Sequence, residues 1–388
     1  MFENQEKIYE ILSKENGVQL GKNIFLPKDK RGNINCLVMA GSGAGKTSAF
    51  TLPNILRKLG SYIVLDPLGE IYDRTNNYMK DNGYIVKTIN IVNSPDNYNY
   101  DPIKHIESDI DIEILSEILI ESNNNNRDPF WDDSSKLFIQ TIISYIIEKE
   151  ERKECRTLCN LLSEEKEKLI EKLKIMDSNS KVYNNIKIME MCPEKTYQSI
   201  ISTAYSKIEF MVNKYNKDIS FDEHIDFDEL YNKKIIFYVS FDQNSKYDKK
   251  LANVFISQVM SQLRNRDNIK EYVYFMLDDI SMIGKIQNLE NEILTSRSRK
   301  LSFSLCTYSI NLLERVYGDQ LPIILGTIDT QLFLGTNIQA DIDYFSEISE
   351  LEKGTLKHLD NNNLIVYEKG LKPILAEKDY YFNHNEWV

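Results

Sequence analysis

From residue 34 the chain alternates short, almost wholly apolar runs with stretches of helical period. The first runs are "INCLVMA" (Ile34 to Ala40), "SYIVLD" (Ser61 to Asp66) and "GYIVKTINI" (Gly83 to Ile91), with a helix predicted from about Thr47 between the first two. Runs that are apolar nearly throughout belong to strands covered on both faces, as in a parallel sheet. The pattern changes at about residue 104. From "HIESDIDIEILSEILIES" to about Phe221 strand signals vanish and helical periodicity takes over, broken by the polar stretches "NNNNRDP" and "MCPEKTY". Strands return with "KKIIFYVSF" (Lys233 to Phe241), then a helix "LANVFISQVMSQLRN", then "YVYFMLDD", "LSFSLCTY", "TQLFLGT" and "NNLIVYE". One α/β sheet interrupted by a helical module accounts for this order better than two successive domains. No repeat with a period of about 20–50 residues is visible. The asparagine run at 123–126 reads as a solvated loop.

Composition narrows the classes without choosing one. Of 388 residues, 42% are hydrophobic and 27% charged, enough to bury a large core. The net charge of −12 argues against a generally basic nucleic-acid binder, so any DNA contact must come from a local patch or an assembled pore. Candidate local clusters are Lys246, Lys249 and Lys250, and Lys285. The five cysteines (Cys36, Cys155, Cys159, Cys192, Cys306) are odd in number and scattered, the pattern of reduced cytosolic thiols. The four histidines lie far apart, which suggests neither a zinc site nor a Ser-His-Asp triad.

The longest apolar stretch, "LFIQTIISYII" (Leu137 to Ile147), falls well short of the roughly 20 residues that span a bilayer and reads as a buried helix. The opening "MFENQEKIYE" has no signal-peptide core and fits an amphipathic helix. A soluble, cytoplasmic chain is therefore expected.

The chemistry concentrates in "AGSGAGKT", Ala40 to Thr47. Apart from an alanine at its first position this is the G-x-x-x-x-G-K-[ST] phosphate loop, with an apolar strand before it and a helical segment after it. Glycines at 41, 43 and 45 let backbone N–H groups turn inward on phosphates. Lys46 reaches the terminal phosphates, and the Thr47 hydroxyl is a magnesium ligand at a helix N-terminus. The candidate nucleotide ligands are thus Gly41, Ser42, Gly43, Ala44, Gly45, Lys46, Thr47 and Ser48. Such a loop needs a carboxylate at the end of a neighbouring strand. "YVYFMLDD" supplies Asp278 for the metal and Asp279 to polarise the attacking water. Asp66 closes the "SYIVLD" strand on the same predicted sheet edge, with Glu70 on the following turn. Either is a carboxylate near the nucleotide, a helix cap or a solvated acid.

"GSYIVLDPLGEIYDRT" resembles the D-P-K-G-E stretch of the TraG/TraD family of type IV secretion coupling proteins, hexameric P-loop ATPases of bacterial conjugation related to FtsK and HerA. Further segments follow in that family's order: "LPNIL", "DNYNYDPIKHI", "DPFWDDSSKLF", "LANVFISQVMSQL", "LDDISMIGKI", "LTSRSRKLSFSLCTYSINLLERVYG", "GTIDTQLFLGTN" and "KPILAEKDYYFNHNEW". The resemblance covers about residues 17 to 388. It implies a RecA-like domain over 1–104 and 228–388 interrupted by an all-alpha domain over 105–227. It also implies ATP and Mg²⁺ at Lys46 and Thr47, with Asp278 and Asp279 as the second motif. Subunits of such proteins form a ring, a homo-hexamer, around single-stranded or relaxase-bound DNA and meet relaxosome proteins and membrane components of the secretion channel. Arg297 and Arg299 match the family's basic segment after the second motif, where an arginine of one subunit stabilises charge on its neighbour's nucleotide.

Three positions depart from the family: Leu68 for its lysine, Asp279 for glutamate and Tyr308 for a common glutamine. They lie at or near the expected nucleotide and imply slow or partner-dependent hydrolysis. Many members begin with two membrane-spanning helices and this sequence shows none: either that segment has been trimmed from it, or the chain is a soluble member brought to the membrane by a separate partner, the reading its amphipathic opening favours. The implied function is an ATP-driven motor that recruits and pumps DNA; the alternative is an ATP-binding substrate receptor with weak or no hydrolysis. A small-molecule kinase, the third class that uses such a loop, leaves no acceptor-site trace here.

Overall fold

In the computed structural model the described residues are 2–30, 32–89, 94–98, 100–120, 128–214, 226–263 and 269–387. The asparagine run at 123–126 and the tail of the "GYIVKTINI" run lie outside them. The strands are β1 (Val18–Gly21), β2 (Ile24–Leu26), β3 (Cys36–Met39), β4 (Ser61–Leu65), β5 (Ile85–Ile89), β6 (Ile235–Val239), β7 (Val273–Leu277), β8 (Leu301–Thr307), β9 (Thr330–Phe333), β10 (Asn363–Glu368) and β11 (Ile374–Glu377). β1 and β2 form a separate antiparallel pair; the other nine build one sheet in the order β11-β10-β9-β3-β8-β7-β4-β6-β5.

From β9 to β5 the pairing is parallel, and β10 and β11 add an antiparallel border beside β9. Every residue of β3, β4, β6, β7 and β8 is buried, the burial that parallel strands need on both faces. Strand alternation divides these residues between two cores. Val38, Val64, Tyr238, Met276 and Cys306 join one cluster with Phe50, Ile55, Ile71 and Met79 of the segments that follow β3 and β4. Their neighbours in sequence turn to the opposite face, where Phe275 stacks on Phe303 at 4.8 Å and Phe333 meets Phe345 of the helix Gln339–Ser349 at 5.0 Å. β5 closes the sheet, and its Ile85 is exposed as an edge position allows.

The structure thus has the mixed α/β sheet expected from the apolar runs. It adds three short strands, β1, β2 and β11, that the apolar pattern does not announce. The N-terminal helix spans Gln5–Ile11, with the Asn4 side chain accepting from the Lys7 N–H at 3.0 Å.

The chain divides into two compact units. One comprises Met1–Tyr98, Ile225–Ala252 and Leu263–Val388 and holds the sheet; the other comprises Asn99–His224 and Asn253–Gln262. Asn253–Gln262 therefore counts with the helical unit, although the sequence reading assigns 228–388 wholly to the nucleotide-binding domain. Polar side chains explain why: Gln258 Nε2 donates to the Pro102 carbonyl at 2.9 Å, Gln262 to the His105 carbonyl, and Tyr100 hydroxyl bonds Gln258. Within this unit the helix Pro129–Lys149 carries the long apolar stretch and buries Phe138, Ile139, Ile142, Ile143 and Ile146. Asp101 accepts from the Ile103 and Cys155 N–H groups at 3.0 and 2.9 Å and from the Cys155 thiol at 3.0 Å. All five cysteines are free thiols. Among the described residues no helix is long and apolar enough to cross a membrane.

The Phe275–Phe303 stack lies where β7 and β8 pair, beneath the strand ends that carry the candidate site. Phe303→Ala is expected to destabilise the chain by about 3–5 kcal/mol, read as a lower urea midpoint.

Candidate functional site

Parallel register sets Met39 beside Thr307, Leu277 beside Leu305, and Leu65 beside both Leu277 and Val239. The residues that follow, Ala40, Asp66, Asp278 and Tyr308, therefore leave the sheet along one edge, where ligands of open α/β sheets bind. A cavity of about 830 Å³ opens there, lined by Gly41, Ser42, Gly43, Gly45, Lys46, Thr47 and Ser48 of the loop, by Asp279 and Tyr308 on one side, and by Glu70, Arg74, Tyr381 and Phe382. That volume falls in the roughly 300–1,000 Å³ range of small-molecule sites.

Two glycines make the loop. Gly43 and Gly45 have φ of 72° and 91°, left-handed values that favour glycine. A side chain at Gly45 would also come within 3.2 Å of the Tyr380 ring. The helix that starts at Lys46 opens as a π turn, Lys46–Thr51, with the Leu52 N–H bonded to the Thr47 carbonyl. Pro53 follows directly and has no N–H to give to Ala49, so the wider turn meets a local constraint.

Lys46 Nζ lies 3.3 Å from Asp278 Oδ1 and hydrogen-bonds Asp279. Burial pushes the Lys46 ammonium down, but the two carboxylates outweigh it and hold the group above its ordinary range. Thr47 Oγ1 donates to Asp278 Oδ2 at 2.7 Å. Asp278 is buried, and desolvation pushes its carboxyl up against the opposing pull of Lys46. Asp278 Oδ1 faces the Lys46 ammonium and has no further hydrogen bond, while Oδ2 takes the Thr47 hydroxyl. These hard oxygens suit Mg²⁺, which takes one or two protein ligands together with phosphates and water. Among the described residues no group of three or more His, Cys, Asp or Glu side chains could hold a metal ion by itself. Asp279 adopts the left-handed region, φ 53° and ψ 46°, a strained conformation for a residue other than glycine.

Other expected site residues do not converge here. Asp66 is buried with both oxygens spent as a cap: Oδ1 accepts from the Ile71 N–H at 3.2 Å and Oδ2 from the Tyr72 N–H at 2.8 Å. Burial raises its pKa to about 6. Leu68 is 72% exposed and does not line the cavity. Arg297 and Arg299 sit on the turn Ser296–Arg299 that precedes β8, so the length of that strand, roughly 20 Å, separates them from the cavity of their own chain. Arg297 is exposed and packs against Gly32. Arg299 is buried; its Nη1 pairs with Glu292 at 2.7 Å, and its Nη2 donates to the Glu292 carbonyl and Thr295 Oγ1.

The segment after β11, part of the "KPILAEKDYYFNHNEW" stretch, contributes residues to which the sequence assigns no role. Lys378 is buried, and its Nζ donates to the carbonyls of Ala44, Leu334 and Asn361, each at 2.8 Å. Ala44 thus enters the site through its carbonyl, held from outside the cavity. Burial lowers the Lys378 pKa to about 8. Tyr380 stacks on Phe382 at 5.0 Å, and the Arg74 guanidinium lies 5.6 Å from the Tyr381 ring centre.

A glycine loop between a central parallel strand and a helix, with lysine, threonine and strand-end aspartate in contact, defines a P-loop NTPase fold. The chain belongs to the type IV secretory system conjugative DNA transfer family, whose model matches residues 2–349. It is 24% identical over 304 residues to the probable conjugal transfer protein TraG of Sinorhizobium fredii, covering 74% of this chain and 47% of that protein. It is 22% identical over 329 residues to protein VirD4 of Rhizobium radiobacter, covering 80% and 47%. The chain spans about half the length of these curated relatives. Among solved structures it is similar to plasmid coupling protein TrwB in complex with a non-hydrolysable ATP analogue, with a TM-score of 0.76, 13% identity, and coverage of 98% of this chain and 93% of that one.

Two measurements check these contacts. An Asp66 carboxyl with an ordinary value of 3.8 keeps its proton to about 6 in the folded chain, so the folded state holds the extra proton between those values. Its stabilising contribution is full below about pH 4 and is lost as pH rises through about 6. The stability difference between wild type and Asp66→Asn, from urea unfolding, is expected to shrink across that window. Lys378→Met removes the donor from three main-chain carbonyls, of which the Leu334 bond is buried and its loss alone costs about 1–3 kcal/mol, and is expected to speed amide hydrogen exchange in the loop from Gly41 to Ser48.

Proposed function

We propose that the chain is an ATP-driven coupling protein of a type IV secretion system, which recruits conjugative DNA or a relaxase–DNA complex and pumps it toward the secretion channel. The observation that carries this reading is the contact of Lys46 and Thr47 with Asp278 and Asp279 at the mouth of a glycine-lined cavity. TrwB, which has a similar fold, is described with an ATP analogue and, in another structure, with ADP and Mg²⁺. By this reading Gly41 to Ser48 hold ATP, and Thr47 and Asp278 hold Mg²⁺. The ion supplies charge neutralisation for the phosphates when bound.

The chain's own groups do the rest. Backbone N–H groups of the loop and the helix N-terminus orient the phosphates. Lys46 exchanges its two carboxylate partners for phosphate oxygens, and that exchange frees Asp279 to accept a proton from the attacking water. Tyr308 borders the same space where a sensor of the terminal phosphate belongs. Arg297 is the arginine available to a neighbouring subunit of a homo-hexamer, because Arg299 is committed to Glu292. Relaxosome proteins and membrane components of the channel are the proposed partners, with the ring recruited to the inner face of the membrane.

The strained aspartate at 279 and the tyrosine at 308 favour a second reading, an ATP-binding substrate receptor in which nucleotide organises the ring without rapid turnover. A steady-state ATPase assay separates them. The motor reading expects hydrolysis stimulated by single-stranded DNA and reduced at least about 100-fold in Lys46→Ala, the loss of a main transition-state contact. Absence of Lys46-dependent turnover with or without DNA would leave only the receptor.

A further inference from the structure

The loop has a direction. Lys46 and the Asp278–Asp279 pair mark the end that receives the terminal phosphates, since the P-loop lysine reaches the β and γ positions while the loop cradles α and β. The base must leave from the other end, past Ser48. Tyr380 touches the loop at Gly45, and the turn Tyr381–Asn383 packs on the helical turn Lys46–Thr51 that contains Ser48, so that Tyr381 and Phe382 line the same cavity.

Phe382 is 55% exposed, unusual for a phenylalanine on a segment so firmly held. Lys378 anchors that segment to three carbonyls; Asp379 accepts from Gln19 Nε2 at 2.9 Å and meets His384 Nε2 at 3.0 Å. Tyr380 stacks nearly parallel beneath Phe382, with 10° between the ring planes, and Tyr381 stands edge-on to it at 5.4 Å. Beside them Arg74 hydrogen-bonds the Tyr381 hydroxyl and pairs with Glu70 at 2.8 Å. An open aromatic face on a pinned backbone costs little ordering to use.

We propose that Phe382 is the stacking platform for the base of the bound nucleoside triphosphate, with Tyr380 and Tyr381 fixing its plane. This rests on the reading of the cavity as an ATP site and adds the specificity-determining end of that site. Stacking engages the π-face that every base has, so the platform selects a nucleotide over a bare polyphosphate and discriminates weakly among bases.

The test compares Mg²⁺-ATP with Mg²⁺-tripolyphosphate by isothermal titration calorimetry on the full chain, in wild type, Phe382→Ala, Phe382→Trp, Tyr308→Ala and Lys46→Ala. Because Phe382 is exposed, its replacement is expected to leave the thermal unfolding midpoint unchanged. The expected result is that Phe382→Ala weakens ATP about 10-fold, the scale of one base–aromatic stack, and leaves tripolyphosphate unchanged. Phe382→Trp is expected to keep or tighten ATP, whereas Lys46→Ala weakens both ligands. Unchanged ATP affinity in Phe382→Ala, or the ATP-specific loss appearing in Tyr308→Ala instead, overturns the platform while leaving the nucleotide site intact. Failure of wild type to bind either ligand overturns the nucleotide reading and the platform with it.

Discussion

The parallel register of β4, β7, β8 and β3 is the constraint on which the site depends. It brings Thr47 and Asp278, 231 residues apart in the chain, within hydrogen-bond distance. It does so with backbone ladders rather than with the polar groups themselves, so the carboxylates and the ammonium are held together before any ligand arrives. Full burial of those strands on both faces makes the register hard to change, because a slip of one residue would exchange the side chains of two separate cores.

Crowding charge at a strand end has a cost that the fold absorbs locally. Two carboxylates and one ammonium meet in a largely buried space, and one carboxylate oxygen of Asp278 relies on the Lys46 ammonium alone. Asp279 reaches Lys46 only from a left-handed backbone. That left-handed backbone sits at the same spot, and the Phe275–Phe303 layer beneath supplies the packing that keeps the arrangement in place.

Much of this was legible in the residue order. Strands of five or more apolar residues, such as β6 and β7, stand out because burial on both faces leaves no room for polar positions. β1 (VQLG) and β11 (ILAE) break their apolar residues with polar or small ones and β2 has three residues, so none of them gives an apolar run to read. The loop declares itself through its motif, and "LDD" through its place after an apolar run. Asp66 is the instructive ambiguity: a strand-end acid before a turn can face a ligand or cap the next helix, and only the position of the Ile71 and Tyr72 N–H groups decides it for the cap. Arg297 and Arg299 share one short turn and one chemistry, yet one is exposed and the other buried against Glu292. Two residues on a tight turn point in different directions, which spacing in sequence cannot reveal. Lys378 and Phe382 lie in the segment "KPILAEKDYYFNHNEW" that shares in the resemblance, yet their order gives no hint of a role, because they meet the loop across more than 300 residues.

The bonds of Lys378 also redistribute the freedom to vary. All three of its acceptors are main-chain oxygens, and main-chain oxygens look alike whatever side chain is attached to them. The bonds themselves therefore place no demand on the side chains at 44, 334 and 361, of which Leu334 answers to the core instead, whereas position 378 must keep an ammonium on a four-carbon stem. An arginine there would offer a flat fork to acceptors arranged around a point. A single side chain thus carries the whole sequence requirement for a junction of three separate backbone segments.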